Sequence, residues 1–255
     1  MTRNPQSETD AGRTHPPLIN PNLKANPMTR RTYASPPCLA DEIDPAYFDP
    51  AAVDPQQATD VARWRKAART RLIAARDDQG AEARARIVAA LTGHLDAFLA
   101  ARFGDLRGRI VSAYWPIKAE LNLRGWITTL HEAGAVVALP VVETRGAPLV
   151  FRRWTPRTRM VRGDWKIPVP EATAERLTPE ITLAPLVGWD AAGYRLGYGG
   201  GYFDRTLAAL RPRPFAIGVG VQAARLHSIY PQPHDIALDA IITEAGLQYP
   251  QGGTA

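Results

Sequence analysis

The chain has 255 residues, 45% of them apolar, with 31 basic and 25 acidic side chains and a formal net charge of +6. That length can bury a full core and suits one domain with a tail. No apolar run is long enough to span a membrane and no hydrophobic leader opens the chain, so a cytoplasmic protein without a membrane partner is expected. The single cysteine, Cys38, excludes an internal disulfide and a cysteine-rich metal centre, and the five histidines show no ligand spacing.

Residues 1–56 are rich in Pro, Asn, Asp, Ser and Thr without apolar periodicity, and are expected to form a disordered extension. Met28 is an alternative start within it. The Ala, Leu and Arg content and spacing predict helices over residues 60–76 and 81–103. In the first of these, Arg63, Arg65, Lys66, Arg69, Arg71 and Arg76 crowd together, and positions 65, 69, 72 and 76 share one face. Such a face suits a nucleic acid, a polyphosphate or water. Strands are predicted over 109–115 and 135–142 with a helix over 123–133 between them, the βαβ pattern of a parallel sheet. Further strands are expected over 149–154, 181–187, 215–221 and 240–242, with a helix over 203–210. The compact domain is expected over 57–248, followed by a tail over 249–255. An α/β fold follows, a three-layer αβα sandwich with a mostly parallel sheet and its ligand crevice at the carboxyl ends of the strands.

Residues 195–205 read RLGYGGGYFDR. Gly197, Gly199, Gly200 and Gly201 let the backbone approach a ligand closely, and the helix that follows would aim free N–H groups into the loop, which favours anions. The spacing is not the dinucleotide fingerprint, because Tyr202 stands where a third glycine is needed, and no Walker lysine follows. A tight turn without a ligand is the competing reading. The flanking Arg195, Asp204 and Arg205 favour a ligand.

This stretch resembles the signature of the 5-formyltetrahydrofolate cyclo-ligase (5,10-methenyltetrahydrofolate synthetase) family, with Phe203 in place of that signature's second tyrosine. Other segments fall in the family's order: the basic helix around Arg65, YWPIKAEL at 114–121, ALPVV at 138–142, WKIPVP at 165–170 and PHDIALDAIITEAG at 233–246. The resemblance covers about residues 61–246. It implies a ligase of one-carbon metabolism with a NagB/RpiA/CoA-transferase-like fold. In the implied reaction 5-formyltetrahydrofolate and MgATP give 5,10-methenyltetrahydrofolate, ADP and phosphate.

On that resemblance, ATP is held by Arg65, Arg69, Gly197, Tyr198, Gly199, Gly200, Gly201, Tyr202, Phe203 and Asp204. Arg195, Tyr202 and Arg205 serve the phosphoryl transfer. Magnesium falls to Asp204 and Asp239, with Asp235 the weaker choice; for Asp204 a first-turn carboxylate serving the helix dipole is the alternative. Folate falls to Glu120, Leu149, Phe151, Trp165 and Tyr202, with Trp165 either a stacking platform or a core tryptophan. The chain departs from the family at Val61, where a lysine is usual, and at Asn122 and Val169, where acids are common. A monomer with a small-molecule substrate and no nucleic acid is expected. The other readings are a relative acting on another formylated metabolite, a nucleic-acid-binding regulator using the arginine helix, and, by fold analogy, a sugar-phosphate isomerase.

Overall fold

The computed structural model describes residues 55–250. The expected N-terminal extension, apart from positions 55 and 56, and the alternative start at Met28 lie outside the described residues. Two long helices come first, α1 (Pro55–Asp77) and α2 (Ala81–Phe103). In α2 the residues Leu91, Leu95 and Leu99 stand one turn apart and form a buried stripe. The chain then alternates: β1 (Ile110–Ser112), α3 (Arg124–Glu132), β2 (Val136–Val141) and β3 (Val150–Arg153). A hairpin of β4 (Met160–Arg162) and β5 (Pro168–Pro170) follows, then β6 (Arg176–Leu177), β7 (Ile181–Pro185), β8 (Gly188–Asp190) and β9 (Arg195–Leu196). After α4 (Tyr202–Ala209) come β10 (Phe215–Val219), β11 (Arg225–Leu226), β12 (Ala240–Thr243) and β13 (Gly246–Tyr249).

Eight strands make the main sheet, in the order β13-β12-β10-β7-β1-β2-β3-β6. The five central strands, β12 to β2, pair in parallel, while β13, β3 and β6 join antiparallel at the edges. The fold is thus mixed α/β around a large, mostly parallel sheet. Ile181, Leu183, Ile217, Ile241 and Ile242 have no exposed surface. Central strands covered on both faces take such unbroken apolar runs rather than an alternating pattern. Helix α2 packs on β12 and β13, and α3 on β2. Helix α1 instead covers a small sheet, β11-β8-β9, with Trp64, Ala68 and Leu72 against Leu196, Leu226 and Ile229.

The predicted helices and main strands are all present, with ends displaced by a few residues. The strand expected over 149–154 is β3, and it runs antiparallel. Strand β13 reaches Tyr249, where a tail was expected to begin, because that ring packs so closely over Gly193 that a Cβ there would lie 2.6 Å from it. The carboxyl ends of β1, β2 and β7 open on one edge of the sheet. The segments that leave those ends, together with the loop between β9 and α4, build the site.

Candidate active site

A cavity of about 760 Å³ lies at that edge. The segment after β1 supplies Tyr114, Ile117, Lys118 and Glu120; the ends of β2 and β7 supply Val142 and Pro185; and residues 195–204 close the opposite wall. Arg65 and Arg69 enter from α1, and Trp165 and Lys166 from the tip of the β4–β5 hairpin. The expectation of a crevice at the carboxyl ends of a parallel sheet is met by this placement.

The glycine loop takes backbone conformations that side chains resist. Gly199 has φ 107° and Gly201, the residue before α4, has φ 62°. A Cβ on Gly199 would stand 3.5 Å from the Arg69 guanidinium, so the missing side chain leaves the space between loop and cation open. Arg69 Nε donates to the carbonyl of Gly197 at 2.7 Å, which fixes the near end of the loop to α1. At the far end Arg205 donates to the carbonyl of Gly200 at 2.6 Å and lies 5.4 Å over the Tyr202 ring. Tyr202 begins α4, its hydroxyl accepts from Gly146 N–H at 3.4 Å, and Trp165 meets its ring edge-on at 5.6 Å.

Two carboxylates and two arginines stand side by side in the wall. Arg195 grips Asp204 with both terminal nitrogens at 2.8 Å, and both residues are buried. Arg65 pairs with Asp235 and also donates to the carbonyls of Ile229 and Tyr230, each at 2.9 Å. The next N–H after Asp235, that of Ile236, donates to Asp204 at 3.1 Å, which brings the two acids together. Lys118, Lys166 and a third acid, Glu120, also line the cavity. The cavity therefore has cations to offer an anion. Glu120 is 8% exposed, and burial pushes its carboxyl up from 4.5 to about 7 against the opposing pull of Ile117 N–H, Arg76, Tyr198 and Lys118. Burial also raises the Tyr198 and Tyr114 hydroxyls, with Glu120 adding to both shifts.

The model of the 5-formyltetrahydrofolate cyclo-ligase family matches residues 61–244, which span the basic helix, the cavity wall and the glycine loop. The chain belongs to that family. It is 33% identical over 146 residues to the 5-formyltetrahydrofolate cyclo-ligase of Mycolicibacterium smegmatis, covering 54% of this chain and 75% of that one. Against the protein of the same description in Escherichia coli strain K12 the identity is 30% over 139 residues, 52% of this chain and 76% of that one. A solved structure, the 5,10-methenyltetrahydrofolate synthetase of Aquifex aeolicus, superposes with a TM-score of 0.61 at 25% identity, covering 75% of this chain and 95% of that one.

Of the residues that the cyclo-ligase resemblance singles out, the cavity gathers Arg65, Arg69, Glu120, Leu149, Trp165, Arg195, Gly197, Tyr198, Gly199, Gly200, Gly201, Tyr202, Phe203 and Asp204. Three stand elsewhere. Asp239 precedes β12 and so lies at the amino edge of the sheet, where Arg213 holds both its oxygens at 2.9 Å and Ala216 N–H donates at 2.7 Å. Asp235, four residues back, is the carboxylate of that segment on the cavity side. Phe151 is 2% exposed and packs behind the wall in a cluster with Ala138 and Leu149, so it does not itself line the pocket. Arg205 stands behind the loop, which it braces through the Gly200 carbonyl and the Tyr202 ring.

The departures from the family pattern have local accounts. Val61 is buried on the inner face of α1, and Arg63, on the outer face, pairs with Asp60. Asn122 accepts from the backbone and side-chain N–H groups of Arg124 at the start of α3. Val169 is buried in β5, its methyl groups against Gly163. Sequence reasoning missed Lys118 and Lys166, which are exposed charges on short connecting segments. Lys118 and Ala119, like Trp165 and Lys166, have positive φ (45°, 56°, 51° and 62°), a strain that collects at ligand sites and that no sequence pattern reveals.

Proposed function

We propose that this protein converts 5-formyltetrahydrofolate and ATP to 5,10-methenyltetrahydrofolate, ADP and phosphate. The observation that carries the reading is one cavity in which the glycine loop faces Glu120 and Trp165, so that a nucleotide phosphate and a flat heterocycle meet between them. Family membership supplies the reaction.

A formamide oxygen is a poor leaving group, and the γ-phosphoryl group of ATP converts it into phosphate. The bond from phosphorus to the ADP oxygen breaks as that to the formyl oxygen forms. N10 then attacks the formyl carbon, its proton leaves, and phosphate departs with the carbon–oxygen electron pair. Such transfers ask a protein for alignment and charge neutralisation. The N–H groups of the loop and of the first turn of α4, with Arg69, Lys118 and Lys166, are suited to holding the phosphates. Trp165, half exposed and held at the hairpin tip, is suited to stacking on the pteridine or aminobenzoyl ring. Glu120, poised near neutrality, is suited to accepting pteridine N–H groups and the proton that N10 sheds.

Asp204 and Asp235 fit a magnesium ion, which takes one or two carboxylates together with phosphate oxygens. Bound there, it would neutralise charge on the phosphates. Each carboxylate is already held by an arginine, so the chain orients these oxygens before any cation arrives. The fold supports the finer description of a three-layer αβα sandwich of the NagB/RpiA/CoA-transferase type. A cytoplasmic monomer acting on a small folate remains the reading for its setting. The arginine face that a nucleic-acid regulator would need is turned inward, with Arg65 and Arg76 buried, which favours the small-molecule reading.

The test is purified protein with 5-formyltetrahydrofolate and MgATP, followed by the near-ultraviolet absorbance of the methenyl product. ATP-dependent growth of that band is the expected result. Its absence, with a working cyclo-ligase in a parallel cuvette, would refute the reading.

A further inference from the structure

Arg76 takes no part in the phosphate or folate contacts described above, yet it is 6% exposed. It leaves the last turn of α1 on the face that carries Arg65 and Arg69. Its guanidinium donates to the carbonyl of Leu186 at 2.6 Å and to the hydroxyl of Tyr198 at 3.3 Å. The Tyr198 hydroxyl stands beside Glu120, and each of the two groups shifts the titration of the other. Glu120 Oε2 also accepts from Ile117 N–H at 2.9 Å. The contacts therefore run from Arg76 through the Tyr198 hydroxyl toward Glu120. They end on the one cavity carboxylate without an arginine ion pair among the described residues.

We propose that Arg76 is a positioning residue of the cyclo-ligase site: it fixes the Tyr198 hydroxyl against Glu120 and keeps that carboxylate able to take up a proton from the bound folate. This rests on the cyclo-ligase reading. The groups that face Glu120 are Arg76 from α1, Tyr198 from the glycine loop, Tyr114 from the segment after β1, and Lys118 from its own turn. Arg84 of α2 shares with it a smaller cavity of about 490 Å³ on its other side. Among the cations, Lys118 is exposed and water screens it, whereas the field of buried Arg76 is screened much less. Burial alone favours the protonated form of Glu120; Arg76 and the Tyr198 hydroxyl oppose it and bring the balance near neutrality. Without Arg76 the carboxyl would stay protonated at neutral pH and would have no capacity left to accept a proton.

The test reads Glu120 directly. Carboxyl 13C NMR on protein labelled in glutamate follows its titration, the signal being identified by its loss in Glu120→Gln. In Arg76→Met the midpoint is expected to rise by about one pH unit or more. Arg76→Lys, which keeps the charge, should recover most of the wild-type midpoint. Tyr198→Phe, which removes the middle link and little volume, should raise it as well and serves if Arg76→Met does not fold. Midpoints unchanged in the folded Arg76 and Tyr198 variants would overturn the proposal. In turnover, the acidic limb of the kcat profile should move with the NMR midpoint while the KM for ATP stays as it was; a limb that stays put while the midpoint moves would equally overturn it. If the wild-type protein shows no turnover although the midpoint moves, the cyclo-ligase reading fails and the coupling of Arg76 to Glu120 stands.

Discussion

Replacing Glu120 by glutamine should remove a pH dependence that this one residue imposes on stability. In the unfolded chain its carboxyl titrates near 4.5, and in the folded protein burial moves it to about 7. The folded state therefore holds the proton more tightly. The stabilisation is complete below the unfolded value and is lost as pH rises through the folded one. Between those two values the loss amounts to about 3 kcal/mol, a large part of the stability of a typical domain. Glutamine keeps the size and the acceptor for Ile117 N–H but does not titrate. Urea unfolding of both proteins at a series of pH values isolates the effect, because every other titrating group is common to the pair. From about pH 4 to about pH 8 the variant should gain on the wild type by about 3 kcal/mol. A difference in unfolding free energy that stays constant over that range would refute the argument that burial dominates at Glu120. The same variant should lose turnover by roughly 10²–10⁴-fold if the carboxylate accepts the N10 proton, giving a protein more stable in mild alkali and less active.

Asp204→Asn should destabilise by about 3–5 kcal/mol, because it leaves the buried Arg195 guanidinium facing a neutral amide. An unfolding midpoint equal to that of the wild type would remove the ion pair from the account, and lost turnover in this variant is by itself no proof of magnesium ligation. Trp165→Ala should change stability by no more than about 0.5 kcal/mol, since the ring is 46% exposed, while calorimetry shows folate affinity falling roughly fivefold to tenfold. Equal affinity with a large loss of stability would make it a core residue. Gly199→Ala should cost about 1–3 kcal/mol of backbone strain at φ 107° and place a methyl group between the loop and Arg69, weakening ADP binding in titration calorimetry. Unaltered ADP affinity would refute the cradle.

Much of the fold was legible because its signals are local. The helices of 23 residues and the continuous apolar runs of the central strands are read within a window of the chain, and their order implies a parallel sheet with a crevice at its carboxyl edge. The hairpin that carries Trp165 and the small sheet under α1 were not legible. Their strands are two or three residues long, too short for a period to show, and the pairing of β8 with β11 joins segments more than thirty residues apart.

The site divides in the same way. Sequence alone determined that RLGYGGGYFDR is a glycine loop leading into a helix, that Arg65, Arg69 and Arg76 share one helical face, and which family the chain resembles, since all three depend on residue type and spacing. Only the tertiary structure decided that this arginine face turns inward, toward Ile229, Gly197 and Leu186, rather than to water. It also chose between two aspartates of one short segment. Asp235 and Asp239 differ by four residues, and four residues of extended chain span about 13 Å. That is enough to carry one carboxylate to the cavity and the other to the far edge of the sheet. Where a carboxylate ends up across a sheet depends on which strand its segment joins, and that is settled by contacts among residues distant in the chain.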